Sequence, residues 1–212
     1  MKIALLGSTG FVGTVLLKKA LAQGHQLKVL VRSPEKLGDA KAKVEVARGD
    51  VLDPAALETL VQNVDAVISV ASPPMKEKFD VEKYARATQN LISAMKSAKV
   101  NRLITITGAA AEVAGKKRGF KPALMRFLLG MLAPDAMKLK DMELTAIAAS
   151  GLNWTVIRPP TIGSGKPTGN VAASESDLTG MSIDVEDISD FILSLLKTNA
   201  WDRKAPIVSS KK

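Results

Sequence analysis

Short apolar runs rich in Val and Ile recur along the chain: IALL at 3–6, LKVLV at 27–31, VEVA at 44–47, AVISV at 66–70, RLITIT at 102–107 and WTVIRP at 154–159. Runs of this length with few polar interruptions predict strands buried on both faces. Between them the spacing changes. Val81, Tyr84, Thr88, Leu91, Ile92 and Met95 fall at steps of three and four, which predicts a helix with one inward face. Residues 54–62, 136–150 and 184–198 read the same way. Asp53-Pro54 and Asp184 mark helix starts, because a carboxylate before the first turn accepts a free backbone N–H and Pro tolerates the first helical position. Alternating strand and helix predict an α/β chain with a doubly wound, mainly parallel sheet covered on both faces. No internal repeat or linker interrupts it, so one domain is expected over residues 1–212.

Two stretches break the alternation. Residues 108–135 hold small residues, the basic cluster Lys116-Lys117-Arg118 with Lys121, and then the apolar ALMRFLLGML. Residues 160–180 are rich in Gly, Pro, Ser and Thr. Both follow predicted strands, and ligands of open parallel sheets sit at the carboxyl ends of strands. The two insertions are therefore candidate pocket walls. ALMRFLLGML reads either as a core-packed helix or as a pocket lid.

The first strand runs into GSTGFVG, where Gly7, Gly10 and Gly13 are separated by Ser8-Thr9 and Phe11-Val12, and a helical pattern follows at once. A strand–glycine turn–helix unit binds phosphate. The first glycine allows the tight turn, the second lets backbone approach a pyrophosphate, and the third lets helix pack on strand. The spacing is GxxGxxG rather than GxGxxG, and its strand-to-helix setting is what gives it weight. At the end of the second strand, VLVRSPEK places Arg32 and Ser33 where NAD-binding sheets usually carry an acid for the ribose 2′-hydroxyl. A guanidinium there suits a 2′-phosphate by charge and by paired hydrogen bonds, so NADP(H) is preferred over NAD(H). Arg32 as a solvated loop residue is the other reading. Asp50 of GDVLD, followed by Val51, either reaches the adenine or caps the helix that begins near Pro54. GSGK at 163–166 is not a P-loop, because the motif needs Gly at 160 and Ser or Thr at 167, and both are Pro.

Composition narrows the chemistry. The chain has no Cys and a single His, His25, which excludes disulfides, thiol catalysis and a His-based metal cluster. No metal site is expected. No run has the length a membrane span needs, and MKIALLG is too short for a leader, so a cytoplasmic protein is expected. The formal net charge of +9 permits polyanion binding, but the basic residues are scattered and no nucleic-acid motif accompanies them. No nucleic-acid or membrane partner is expected.

GSTGFVG, VLVRSPEK, GDVLD, VISVAS, LITITGA, SGLNWTVIRPPTIG and the later TG at 168–169 occur in the order found in the atypical short-chain dehydrogenase/reductases. The chain resembles their NAD(P)H-binding subgroup of NADH-flavin reductases, biliverdin-IX-beta/flavin reductases and NmrA-like proteins, over nearly its whole length. The resemblance implies a Rossmann-like three-layer sandwich. It implies a dinucleotide over Gly7 to Gly13, with Arg32 on the 2′-phosphate and Asp50-Val51 near adenine. It implies that Val70, Ala71 and Ser72 line the ribose side, while Thr107, Gly108, Ala109 and Pro159, Pro160, Thr161, Ile162 surround the nicotinamide.

The departures from that group matter too. The Tyr-x-x-x-Lys pair of the typical short-chain dehydrogenases is missing, since the sole tyrosine is Tyr84 and residue 88 is Thr. Where biliverdin/flavin reductases carry a Ser and a His, this chain has Gly108 and Thr161. Hydride transfer to a flat acceptor that draws its proton from water remains available, because the cofactor carries the chemistry and the protein supplies orientation. The expectation is an NADPH-dependent reductase of a flavin or quinone, monomeric or homodimeric. Thr107, Gly108 and Thr161 form its reaction centre, Ser164 hydrogen-bonds the acceptor, and Met137 and ALMRFLLGML supply apolar walls. The rival expectation is a non-enzymatic NADP(H) sensor of the NmrA-like kind.

Overall fold

Each apolar run is a strand in the computed structural model, which describes residues 1–73, 78–112 and 119–211. The strands are β1 (Lys2–Leu6), β2 (Gln26–Val31), β3 (Glu45–Arg48), β4 (Ala66–Ser69), β5 (Arg102–Ile106) and β6 (Asn153–Ile157). They form one six-stranded sheet in the order β3-β2-β1-β4-β5-β6. β1 runs parallel to both β2 and β4, and β2 parallel to β3. The expected parallel α/β architecture is therefore present. The backbone clusters into two compact units, residues 1–104 and 105–212.

In the first unit the sheet order reverses at β1, with β2 and β3 on one side and β4 on the other. At such a reversal the connecting segments leave in opposite directions and open a crevice beyond the strand ends. The helices are α1 (Phe11–Ala22), α2 (Pro54–Leu60) and α3 (Val81–Ser97). Asp53 caps α2 by accepting from the Ala55 N–H at 3.0 Å, and Asp80 caps α3 by accepting from the Lys83 N–H at 3.0 Å. Ile3, Leu5, Leu16, Leu57, Ile68 and Met95 are fully buried, each worth about 1.5–3 kcal/mol against exposure. Residues Pro34–Lys43 form a kinked 3-10 stretch for which the apolar pattern gives no signal. Lys28 is buried on β2 and meets Glu45, its register partner on β3, at 3.0 Å; Lys2 reaches the same carboxylate at 2.6 Å.

The second unit holds α4 (Phe120–Leu132), α5 (Pro134–Ala148) and α6 (Val185–Ser194). Short strands occupy the stretch without periodicity. β7 (Ile162–Gly163) pairs parallel with β9 (Ile183–Asp184), and β8 (Val171–Ser174) pairs antiparallel with β10 (Ile207–Ser210). Asp184 starts α6 as expected, with one carboxylate oxygen on the Glu186 N–H at 2.8 Å and the other on the Gly165 N–H at 2.6 Å. Arg158, just beyond β6, is buried. Its Nε donates to the Ala205 carbonyl at 2.6 Å, Nη1 to Ala111 at 3.3 Å and Nη2 to Glu175 at 2.7 Å.

ALMRFLLGML is helical, but much of it faces outward. Phe120, Phe127, Met131 and Leu132 are exposed, while Met125 packs against the buried cluster of Ala109, Leu178 and Ile207. The basic cluster Lys116-Lys117-Arg118 and the terminal Lys212 lie outside the described residues. Among the described residues, no helix is long and apolar enough to cross a membrane.

Candidate functional site

The end of β2, the turns that follow β1 to β4, the start of α1 and Tyr84 of α3 line a cavity of about 580 Å³ in the first unit. The glycine loop forms its floor. Gly7 has φ +84°, which only glycine adopts without strain, and a Cβ there would lie 2.7 Å from the Ala71 nitrogen. A Cβ on Gly13 would sit 1.9 Å from the Gly7 carbonyl oxygen, so the first turn of α1 rests directly on the loop. Gly10 occupies the N-cap of α1 and no side chain caps that end. The amides of the first turn are thus left for an anion, helped by the positive end of the helix dipole. Ser8 is buried, and its Oγ has no hydrogen-bond partner among the described residues. A backbone cradle, uncapped amides and an orphaned hydroxyl together fit a pyrophosphate.

Arg32 lines the same cavity with its side chain 79% exposed, and its Nη1 lies 3.6 Å from Asp50 Oδ2. Its guanidinium is held too loosely to count as satisfied and is available to a phosphate. Asp50 also lines the cavity, and its Oδ1 accepts from the Leu52 N–H at 2.9 Å. It therefore closes the turn after β3, while the cap of α2 belongs to Asp53. Thr9, Phe11, Val12, Val51, Val70, Ala71 and Ser72 complete the expected set in this lining; Ser8, Gly13 and Ser33 are outside it. Sequence reasoning missed Leu30, Val31, Gly49 and Tyr84. Tyr84, on α3, stands edge-on to Phe79 with ring centroids 5.8 Å apart. Its hydroxyl is pushed above the usual tyrosine range by burial and then by the Asp50 carboxylate, with Arg32 opposing.

A second cavity, about 310 Å³, lies within the second unit. Thr107, Gly108, Ala109, Pro159, Pro160 and Ile162 line it as a group, and Met137 joins them as expected. Backbone bonds set these walls: the Thr107 N–H donates to Ile157 and the Ala109 N–H to Pro159, each at 2.9 Å. Thr161 is exposed and outside the lining; its carbonyl accepts from the Ile183 N–H at 2.8 Å. Ser164 is likewise exposed and not in the lining. Met125 and Leu129 of α4, together with Ala110, add apolar surface.

Lys140 of α5 was missed. It lines this cavity, and burial pulls its ammonium below the usual lysine range, with the Glu143 carboxylate opposing. A Cβ placed on Gly108 would lie 3.8 Å from its Cε and 4.0 Å from its Nζ. The Thr107 Oγ1 is buried without a partner among the described residues. The signal was present in the sequence: Lys140 interrupts the apolar face made by Met137, Leu144 and Ile147.

A family model for NAD(P)H-binding matches residues 7–199. The chain belongs to this NAD(P)H-binding family. It is 28% identical over 177 residues to the uncharacterized protein YwnB of Bacillus subtilis, a match covering 80% of this chain and 78% of that one. Among solved structures, ChuY of Escherichia coli O157:H7, described as an anaerobillin reductase, superposes with a TM-score of 0.83 at 17% identity, covering 99% of this chain and 97% of that one. A short-chain dehydrogenase/reductase of Veillonella parvula in complex with NADP gives a TM-score of 0.81 at 16% identity, covering 99% and 94%. At these identities the two structures establish the fold alone.

Proposed function

We propose that this protein is an NADPH-dependent reductase that passes hydride to a flat conjugated acceptor, a flavin or a quinone. The observation that carries the reading is the grouping of the glycine loop, the uncapped start of α1 and the exposed Arg32 guanidinium around one cavity. In this reading the loop and helix amides bind the pyrophosphate, and Arg32 takes the 2′-phosphate, favouring NADP(H) over NAD(H). Tyr84, Asp50 and Val51 flank the adenosine. The bound cofactor supplies a hydride.

The role assigned to the second-unit cavity is to receive the acceptor. Met125, Leu129, Met137 and Ile162 exclude water and press on a flat apolar ring, and the Thr107 segment orients it. Thr107 and Gly108 remain in the proposed reaction centre, whereas the exposed position of Thr161 removes the reason for placing it there. The reductase described for ChuY supports the reaction class, and the NADP of the Veillonella complex supports the cofactor.

The test is oxidation of NADPH, beside NADH, by the purified protein with FMN, riboflavin and a quinone panel. Saturable turnover preferring NADPH is expected. Tight NADPH binding without turnover on any acceptor would overturn the reductase and leave the sensor.

A further inference from the structure

Among the described residues, the second-unit cavity has an apolar side-chain lining except for two groups that the fold leaves unused. One is the buried Thr107 hydroxyl, with no partner among the described residues. The other is the Lys140 ammonium, for which the described residues provide no hydrogen bond or ion pair. Lys140 is half-buried, and among the described residues its desolvated ammonium lacks the acid that normally accompanies such a group. The neighbouring carboxylate, Asp141, is taken: it holds Arg126 through both oxygens and the Glu112 N–H at 2.8 Å. Glu143, on the same helix, acts on Lys140 only through space and does not line the cavity. Among the described residues the other lining elements bring no acid or base. α4 gives Met125 and Leu129, the segment after β5 gives Thr107 to Ala110, and the segment after β6 gives Pro159, Pro160 and Ile162. A desolvated donor and an orphaned hydroxyl in one small apolar cavity call for a ligand oxygen.

We propose that Lys140 is the proton donor of the reaction, that the Thr107 hydroxyl binds beside it, and that the acceptor is a conjugated carbonyl compound, a quinone or an enone, whose oxygen faces the ammonium. This rests on the hydride donor of the reductase reading and narrows its acceptor. Hydride adds to the carbon conjugated with the carbonyl, and the π electrons move to the oxygen. That oxygen takes a proton from Lys140; the N–H bond breaks and its electron pair stays on nitrogen. Water returns a proton to the amine, and the enol tautomerises in solvent, to the hydroquinone when the acceptor is a quinone. The lowered proton affinity of Lys140 fits this role, since a donor works best when it titrates nearer the working pH.

The test uses the full chain, NADPH and 2-methyl-1,4-naphthoquinone. Lys140→Ala should lower kcat about 100-fold while NADPH affinity, read from nicotinamide fluorescence, stays within about twofold. Lys140→Arg, which keeps the charge but holds its proton, should not restore the rate, whereas added ethylamine should partly rescue Lys140→Ala. Wild-type kcat should fall as pH rises through the Lys140 titration and the Lys140→Ala profile should be flat. Thr107→Val should raise the quinone KM about tenfold. Independently of turnover, acetic anhydride should label Lys140 at lower pH than surface lysines, and the quinone alone should protect it. Loss of NADPH affinity with unchanged kcat would make Lys140 a cofactor anchor and overturn the proposal. So would full activity of Lys140→Arg, or wild-type turnover with FMN alone, which would keep the reductase reading. NADPH binding without turnover on any acceptor would overturn that reading and this proposal together, whatever the labelling shows.

Discussion

Arg126 on α4 and Asp141 on α5 meet as a two-pronged pair, Nη1 to Oδ1 at 3.0 Å and Nη2 to Oδ2 at 2.6 Å. The same guanidinium donates to the Ala110 carbonyl at 3.2 Å and reaches Glu112 at 3.0 Å. It thus joins the helix that carries Met125 and Leu129 to the one that carries Lys140.

Breaking that pair should be felt in both stability and the second cavity. Asp141→Ala strips the fork and leaves the Glu112 N–H without its acceptor. The side chains are 28% and 27% exposed, so solvent screens part of the loss and about 1–2 kcal/mol is expected. Chemical denaturation of the single and double variants with Arg126→Ala measures the coupling. A raised acceptor KM should accompany it.

Gly13→Ala should abolish tight cofactor binding. The added Cβ would sit 1.9 Å from the Gly7 carbonyl oxygen, and only a shift of the loop relieves it. Overpacking of this kind costs about 1–3 kcal/mol, so the melting temperature should fall with NADPH affinity. Gly163→Ala, where a Cβ meets nothing within 4 Å, should change neither.

Arg32→Ala should weaken NADPH about 10- to 100-fold and NADH within about twofold, as loss of a charge-assisted phosphate contact does. Fluorescence titration with both cofactors decides it. Equal losses would remove Arg32 from the 2′-phosphate.

Glu45→Gln should destabilise the first unit, because it strands the buried Lys28. Hydrogen bonds from Lys2 and then Lys28 hold the Glu45 carboxyl below its ordinary 4.5, against a small desolvation effect. A lowered carboxyl contributes stability that is fully present above about 4.5 and is lost as pH falls through the folded-state value. The gap between wild type and variant should therefore be widest near neutrality and close in acid. Urea midpoints between pH 7 and 3 measure it.

The strands were legible because a sheet covered on both faces leaves unbroken apolar runs, and β1 to β6 fall within a residue or two of those runs. The glycine loop was legible because sterics alone demand Gly7 and Gly13. Other site residues were hidden for particular reasons. Tyr84 lies on the inward face that periodicity assigns to α3, but periodicity does not say that this face opens onto a cavity. Thr161 was grouped with its neighbours, yet its side chain is exposed, so Pro159, Pro160 and Ile162 line the second cavity and Thr161 does not. Lys140 escaped because acid–base groups were sought as a Tyr–Lys pair, and this lysine has no tyrosine beside it in sequence.

Arg158 gives the second cavity a property that none of its lining residues has alone. One guanidinium holds the carbonyls of Ala111, Glu175 and Ala205, and it sits immediately before Pro159 and Pro160. Two walls of the cavity are thus moored to a single post. They cannot drift apart one at a time, and any tolerance for a wider or narrower guest must be won at a residue the guest never touches.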